Sequence, residues 1–138
     1  DYHHDDIGFN YRLPNINAAL GCAQLEQLPE LLKSKRLLFK KYEDKISLLK
    51  GVSLFKEPNG CKSNYWLQTL LLDNINKNQR DEILSLTNES GLMARPAWIL
   101  MHRLNQFSSN PRMDLSCAES ITDRLINIPS SSNLIGKN

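Results

Sequence analysis

The chain has 138 residues, enough for one domain with a single core and too few for a complete cofactor enzyme of two packed domains. Apolar residues make up 41% and charged residues 23%, ordinary globular proportions that argue against disorder and against a membrane protein. With 17 basic and 15 acidic side chains the formal charge is only +2, spread along the sequence, which excludes a strong electrostatic footprint for nucleic acid or anionic lipid.

Asp1, His3, His4, Asp5 and Asp6 open the chain. All can ligate zinc or iron, yet neighbours on an extended chain point to opposite faces, and no HxxxH or cysteine cluster follows. A polar opening segment is expected, not a metal site. No basic region followed by an apolar run occurs here, so no signal peptide is expected at this end, and Asp1 in place of methionine reads as a cut through a longer protein. Asn15 is a candidate N-cap for a helix whose apolar positions Ile16, Ala19, Leu20 and Ala23 keep a helical rhythm. Beyond Pro29 the stripe resumes at Leu32, Phe39, Tyr42, Ile46 and Leu49, predicting one long kinked helix or two end to end, stopping at Lys50 and Gly51. The lysines and Arg36 between 33 and 45 form its solvated face.

Val52 to Phe55 and Tyr65 to Leu72 read as an antiparallel pair of strands around a turn at Pro58 to Gly60. Asn76 to Ser90 predicts a second helix with Ile83, Leu84, Leu86 and Thr87 on its apolar side and Gly91 as its stop. Leu92 to Ala94 is a third strand candidate, Arg95 to Pro111 has no clear period, and Asp114 would cap a last helix bearing Ala118, Ile121 and Leu125. Asn127 to Ser132 reads as a polar, turn-forming tail. The fold class is therefore α+β: a long first helix and a small, mostly antiparallel sheet with flanking helices. Cys22, Cys61 and Cys117 are odd in number, far apart and without a CxxC pair, as expected of reduced thiols in a cytoplasmic protein. No apolar run approaches the roughly 18 to 20 residues that span a bilayer.

No G-x-S-x-G elbow frames a serine, and neither GxGxxG nor a P-loop is present, so a hydrolase and a self-contained nucleotide-binding domain are unsupported. The dense block is GFNYRLPNINAALGCAQLEQL, from Gly8 to Leu28. It resembles the segment that follows the cofactor domain in the DegT family of sugar aminotransferases. Ser63-Asn64-Tyr65-Trp66-Leu67, Arg95-Pro96-Ala97-Trp98 with His102, and Asn127-Ile128-Pro129-Ser130-Ser131 extend the resemblance to about Asp6 through Ser131. Those later blocks look like the branch that makes 4-amino sugars for bacillosamine and legionaminic acid.

The resemblance implies that residues 1–138 are the small carboxy-terminal domain of a type I aminotransferase fold acting with pyridoxal 5'-phosphate. It also implies a homodimer in which Asn10 reaches the cofactor phosphate of the neighbouring subunit; an amide N–H is a donor suited to phosphate oxygen. Arg12, with a planar fork for phosphate or carboxylate, and Tyr11 beside it would lie near the substrate. Arg95, Trp98 and His102 would face a nucleotide sugar, a cation and an aromatic plane suiting a diphosphate and a sugar or uracil face. Tyr65 and Trp66 lie in a strand-like run, where large aromatics are more often core. The family carries its covalent cofactor lysine, and the carboxylate that protonates the pyridine nitrogen, upstream of the G-x-N-Y-R block. The chain by itself is accordingly expected to be inactive. The intact protein would move an amino group from glutamate to C4 of a UDP-linked 4-keto-6-deoxy sugar. A non-catalytic module of the same fold and a sugar dehydratase with histidine in place of the active lysine stay open, separated by the upstream residues.

Overall fold

In the first helix, α1, the residues from Asn15 to Ile46 form one unbroken run through Pro29. The computed structural model describes residues 6–9 and 13–135. Pro14, in extended conformation, holds the N-cap position with no side-chain cap, so Asn15 begins the helix and does not cap it. Proline is favoured near a helix start because its missing N–H and fixed φ cost little there. Pro29 has no N–H to offer the carbonyl of Leu25, and both residues are exposed, so water can satisfy that carbonyl. The helix ends at Ile46, short of the expected Lys50, and the chain turns through Gly51 at φ +80°, a left-handed conformation that favours glycine.

β1 (Val52–Leu54) pairs antiparallel with β2 (Gln68–Leu72), placing Val52 opposite Leu72. Tyr65 and Trp66 lie outside the strand predicted over Tyr65 to Leu72, because Tyr65 sits at φ 46°, which no strand tolerates. α2 (Lys77–Glu89) opens with a capping box in which Asn76 and Gln79 satisfy each other's backbone N–H groups. Gly91, at φ +79°, closes it.

The third strand is shifted from its expected place: β3 is Arg95–Pro96, while Leu92 to Ala94 lead into it. Asn88 holds that lead-in, its side chain bonding both the N–H and the carbonyl of Ala94. α3 spans Ser116–Thr122, and Leu125, expected on this helix, starts β4 (Leu125–Ile128) instead. The expected tail at Asn127 is thus central strand. Asp114 sits one residue before the helix cap Leu115, where its carboxylate accepts from both the N–H and hydroxyl of Ser116.

The sheet order is β1-β2-β4-β3, all neighbours antiparallel. Alternation along β2 and β4 puts Gln68, Leu70, Leu72, Ile126 and Ile128 on one face. Leu72, Leu84 of α2, Ala94 and Ile126 form the core there, with Val52, Leu70, Ile75 and Ile128 packed around them. The opposite face is polar at its centre, where Thr69 donates to Asn127 at 2.9 Å. Ile126 is 1% exposed. Ile126→Ala should lower unfolding free energy by about 2–5 kcal/mol, read by urea denaturation, the usual loss for a buried large-to-small change; a loss below about 1 kcal/mol would show that the core lies elsewhere.

Candidate functional site

The second half of α1 is bound to two loops by side chains that are polar at the tip and apolar along the stem. Lys35 Nζ donates to the carbonyls of Ser130 at 2.7 Å, Trp66 at 3.3 Å and Tyr65 at 3.5 Å. Partial burial lowers its pKa from the usual lysine value. Two turns on, Tyr42 donates to the Pro129 carbonyl at 3.0 Å, and burial raises its phenol pKa. Gln68, 1% exposed at the start of β2, donates from Nε2 to the Lys35 carbonyl at 3.3 Å.

Arg36 grips Glu57 through both guanidinium nitrogens, at 3.0 and 2.9 Å, and donates to the Ser63 carbonyl at 2.8 Å. Glu57 in turn accepts from the Ser63 N–H. The Arg36 hydrogen bonds, then that backbone N–H, hold the Glu57 carboxyl below the usual carboxylate range. The same guanidinium lies 5.3 Å from the centre of the Tyr65 ring, which stacks on Phe39 at 4.2 Å. Tyr65 is thereby buried and its left-handed backbone turns Trp66 outward, 63% exposed.

Blocks far apart in sequence meet at Trp66. Ser63 Oγ accepts from the Tyr65 N–H, Asn64 Oδ1 accepts from the Trp66 N–H, and Ser130 donates its hydroxyl to the Trp66 carbonyl at 2.8 Å. The Trp66 indole stacks on Trp98, ring centres 6.1 Å apart and planes 23° apart. β3 holds the start of that loop, Arg95 opposite Asn127 and Pro96 opposite Ile126. Trp98 also lines a half-open groove of about 710 Å³, together with Lys77, Arg80, Asp81, Arg103 and Asp123.

Three of the residues singled out by sequence thus lie on one loop without converging on one point. Arg95 is on β3, Trp98 stacks on Trp66, and His102 turns to α3, its Nε2 2.7 Å from Glu119 Oε1. Asn10, Tyr11 and Arg12, and the opening residues Asp1, His3, His4 and Asp5, lie outside the described residues. Among the described residues no group of three His, Cys, Asp or Glu side chains can hold a metal ion. Sequence reasoning ranked Trp66 with the core, and Glu119 carried no local signal because its partner is 17 residues away. Cys22, Cys61 and Cys117 are exposed free thiols, and no described helix is long and apolar enough to cross a membrane.

A profile described as the DegT/DnrJ/EryC1/StrS aminotransferase family matches residues 1–138. The EpsN protein of Bacillus subtilis (strain 168), by name a pyridoxal phosphate-dependent aminotransferase, is 37% identical over 96% of this chain and 35% of its own length. A GDP-perosamine synthase of Vibrio cholerae is 31% identical over 94% of this chain and 35% of its own length. The chain therefore spans about a third of the length of the curated relatives it matches. Among solved structures, Helicobacter pylori PseC, an aminotransferase involved in the biosynthesis of pseudoaminic acid, superposes with a TM-score of 0.80 at 22% identity. That superposition covers 97% of this chain and 37% of PseC, a likeness of fold.

Lys35→Met should leave the Tyr65 and Ser130 carbonyls without this donor and destabilise the fold by about 1–2 kcal/mol, the order expected when part-buried acceptors lose a charged donor; chemical denaturation measures it, and an unchanged midpoint would rule the clamp out. Glu57 has a lowered folded pKa, so its stabilising pairing is complete above the ordinary carboxylate pKa and is lost as pH falls through the folded value. Glu57→Gln should therefore flatten the acid side of the stability–pH curve, and an acid limb as steep as the parent's would contradict the assignment.

Proposed function

Since the chain belongs to the DegT/DnrJ/EryC1/StrS aminotransferase family, we propose that it is the carboxy-terminal small domain of a pyridoxal-phosphate-dependent aminotransferase. The intact enzyme transfers the amino group of glutamate to C4 of a UDP-linked 4-keto-6-deoxy sugar in surface-glycan biosynthesis, in the cytoplasm. The observation that carries this reading is the meeting of the SNYW, RPAW and NIPSS blocks at the Trp66 and Trp98 pair. An exposed aromatic plane next to a loop bearing Arg95 and His102 suits a ligand with a flat base or sugar face and a diphosphate. Arg95, Trp98 and His102, with Tyr11 and Arg12, are the proposed substrate contacts.

In this reading the covalent cofactor lysine lies upstream of the described residues. Lys35 is held by three carbonyls, Lys56 by Glu43 at 3.0 Å, and Lys33, Lys40, Lys41 and Lys45 ride on the exposed surface of α1. Lys50 and Lys62 are also exposed, and Lys77, at the start of α2, lines the groove beside Trp98; no chemical step is assigned to any of them. Pyridoxal phosphate is held instead by the remaining two thirds of the protein, with Asn10 donating to its phosphate across a homodimer interface.

A GDP-linked substrate is the second reading, favoured by relatives of Vibrio cholerae and Escherichia coli O157:H7 that are named GDP-perosamine synthase and are 31% and 32% identical. The full-length protein, given glutamate and either UDP-4-keto-6-deoxy-N-acetylglucosamine or GDP-4-keto-6-deoxymannose, should yield the 4-amino product of the UDP sugar by mass spectrometry, and the 138-residue chain alone should yield none. Product only from the GDP sugar would select the second reading, and product from neither would overturn both.

A further inference from the structure

We propose that Glu119, on α3, is a positioning residue: by holding His102 and Arg103 it sets the loop that carries Trp98 against Trp66, and with it the sugar-nucleotide side of the site. The inference rests on the substrate role proposed for Arg95, Trp98 and His102.

Between β3 and α3 the chain has no strand partner. Its backbone bonds are local: Arg103 N–H to the Leu100 carbonyl, Leu104 to Met101, and Phe107 to Leu104. Local bonds shape a loop but do not fix where it sits on the domain. Side chains must do that. Leu104, 4% exposed, is one anchor. The other is polar. His102 Nε2 lies 2.7 Å from Glu119 Oε1, with the imidazole side chain only 15% exposed. The His102 hydrogen bond, then the charge of Arg103, keeps the Glu119 carboxyl below the usual carboxylate range. Glu119 is thus a carboxylate at neutral pH, and His102 must carry its proton on Nε2 to be bonded at this distance. Arg103 adds a second link, its guanidinium 3.6 Å from both Glu119 and Asp123 at the end of α3.

α3 is a firm base for this grip. Arg80, 5% exposed on α2, donates to the Thr122 carbonyl at 2.8 Å, and Arg124 just after α3 donates to the Leu72 carbonyl of β2 at 2.9 Å. His102 and Arg103 are four and five residues from Trp98 along a constrained turn, so displacement at the grip reaches the indole. Glu119 acts through His102 and Arg103.

The test uses full-length protein carrying 5-fluorotryptophan, the Trp66 and Trp98 resonances being assigned with Trp66→Phe and Trp98→Phe. Glu119→Ala and Glu119→Asp, which removes or shortens the grip, should shift the Trp98 fluorine resonance and raise KM for the UDP 4-keto sugar roughly tenfold. Misplacing a binding group by about 1 Å is enough for effects of this order. KM for glutamate should stay within about twofold. Glu119→Gln keeps an oxygen acceptor for His102 and should restore most of both signals. An unmoved Trp98 resonance in the Ala and Asp variants would overturn the proposal. So would a uniform loss in all three variants, with both KM values and Tm moving together, because a merely structural role predicts that pattern. Should the Ala variant fail to fold, the Asp and Gln pair makes the same comparison. Trp98→Ala separates the two levels: an unchanged sugar KM there removes Trp98 from the substrate site, while the fluorine shift still decides whether Glu119 positions it.

Discussion

One ammonium group, Lys35 Nζ, lies where three chain segments meet. The carbonyls of Tyr65, Trp66 and Ser130 cannot join the sheet, because Tyr65 is in a left-handed turn and Ser130 lies past the end of β4. Left unbonded, the part-buried Tyr65 and Ser130 carbonyls would each cost free energy, and a lysine on a rigid helix is a donor that reaches both and the Trp66 carbonyl, which also accepts from the Ser130 hydroxyl. Gln68 answers from the other side by donating to the Lys35 carbonyl, and Tyr42 and Arg36 extend the contact along the same helix face. α1, the 57–66 loop and the end of β4 are thereby one unit.

The consequence is an unusual division of α1. Its second half buries Leu38 and Phe39 and carries the clamp, whereas Ile16, Leu20 and Leu25 of its first half are 79%, 62% and 65% exposed. A helix with an apolar stripe and no neighbour beneath it gains nothing from that stripe in isolation. The stability of the described fold is concentrated downstream, in the sheet, α2 and the clamp.

The same economy of side chains governs the loop that carries Trp98. Irregular segments gain position from a few anchors, and here they include the buried Leu104 and the ions of α3. An aromatic pair held this way stays exposed because its support lies behind it: Phe39 under Tyr65, and Ser130 and Lys35 on the Trp66 carbonyl. In the proposed reading, that leaves a preformed plane for a ligand face, with charged groups in the adjoining groove.

Periodicity and turn chemistry in the sequence were sufficient for the α+β class, for α1 and α2, for the stop at Gly91 and for the pairing of β1 with β2, since each depends on residues near one another in the chain. The sequence also marked the blocks that meet at the site, by resemblance. It misplaced β3 by two to three residues and read β4 as helix end and tail, because LINI is too short to show a period and becomes a strand only by pairing with both β2 and β3. It assigned Tyr65 and Trp66 to a strand, since nothing local reveals that Arg36, Glu57 and Phe39 hold Tyr65 in a left-handed turn. Lys35 read as one more solvated lysine, and Glu119 as one more helix acid. Both roles depend on groups 16 or more residues away, and proximity of that kind is created only when the chain folds.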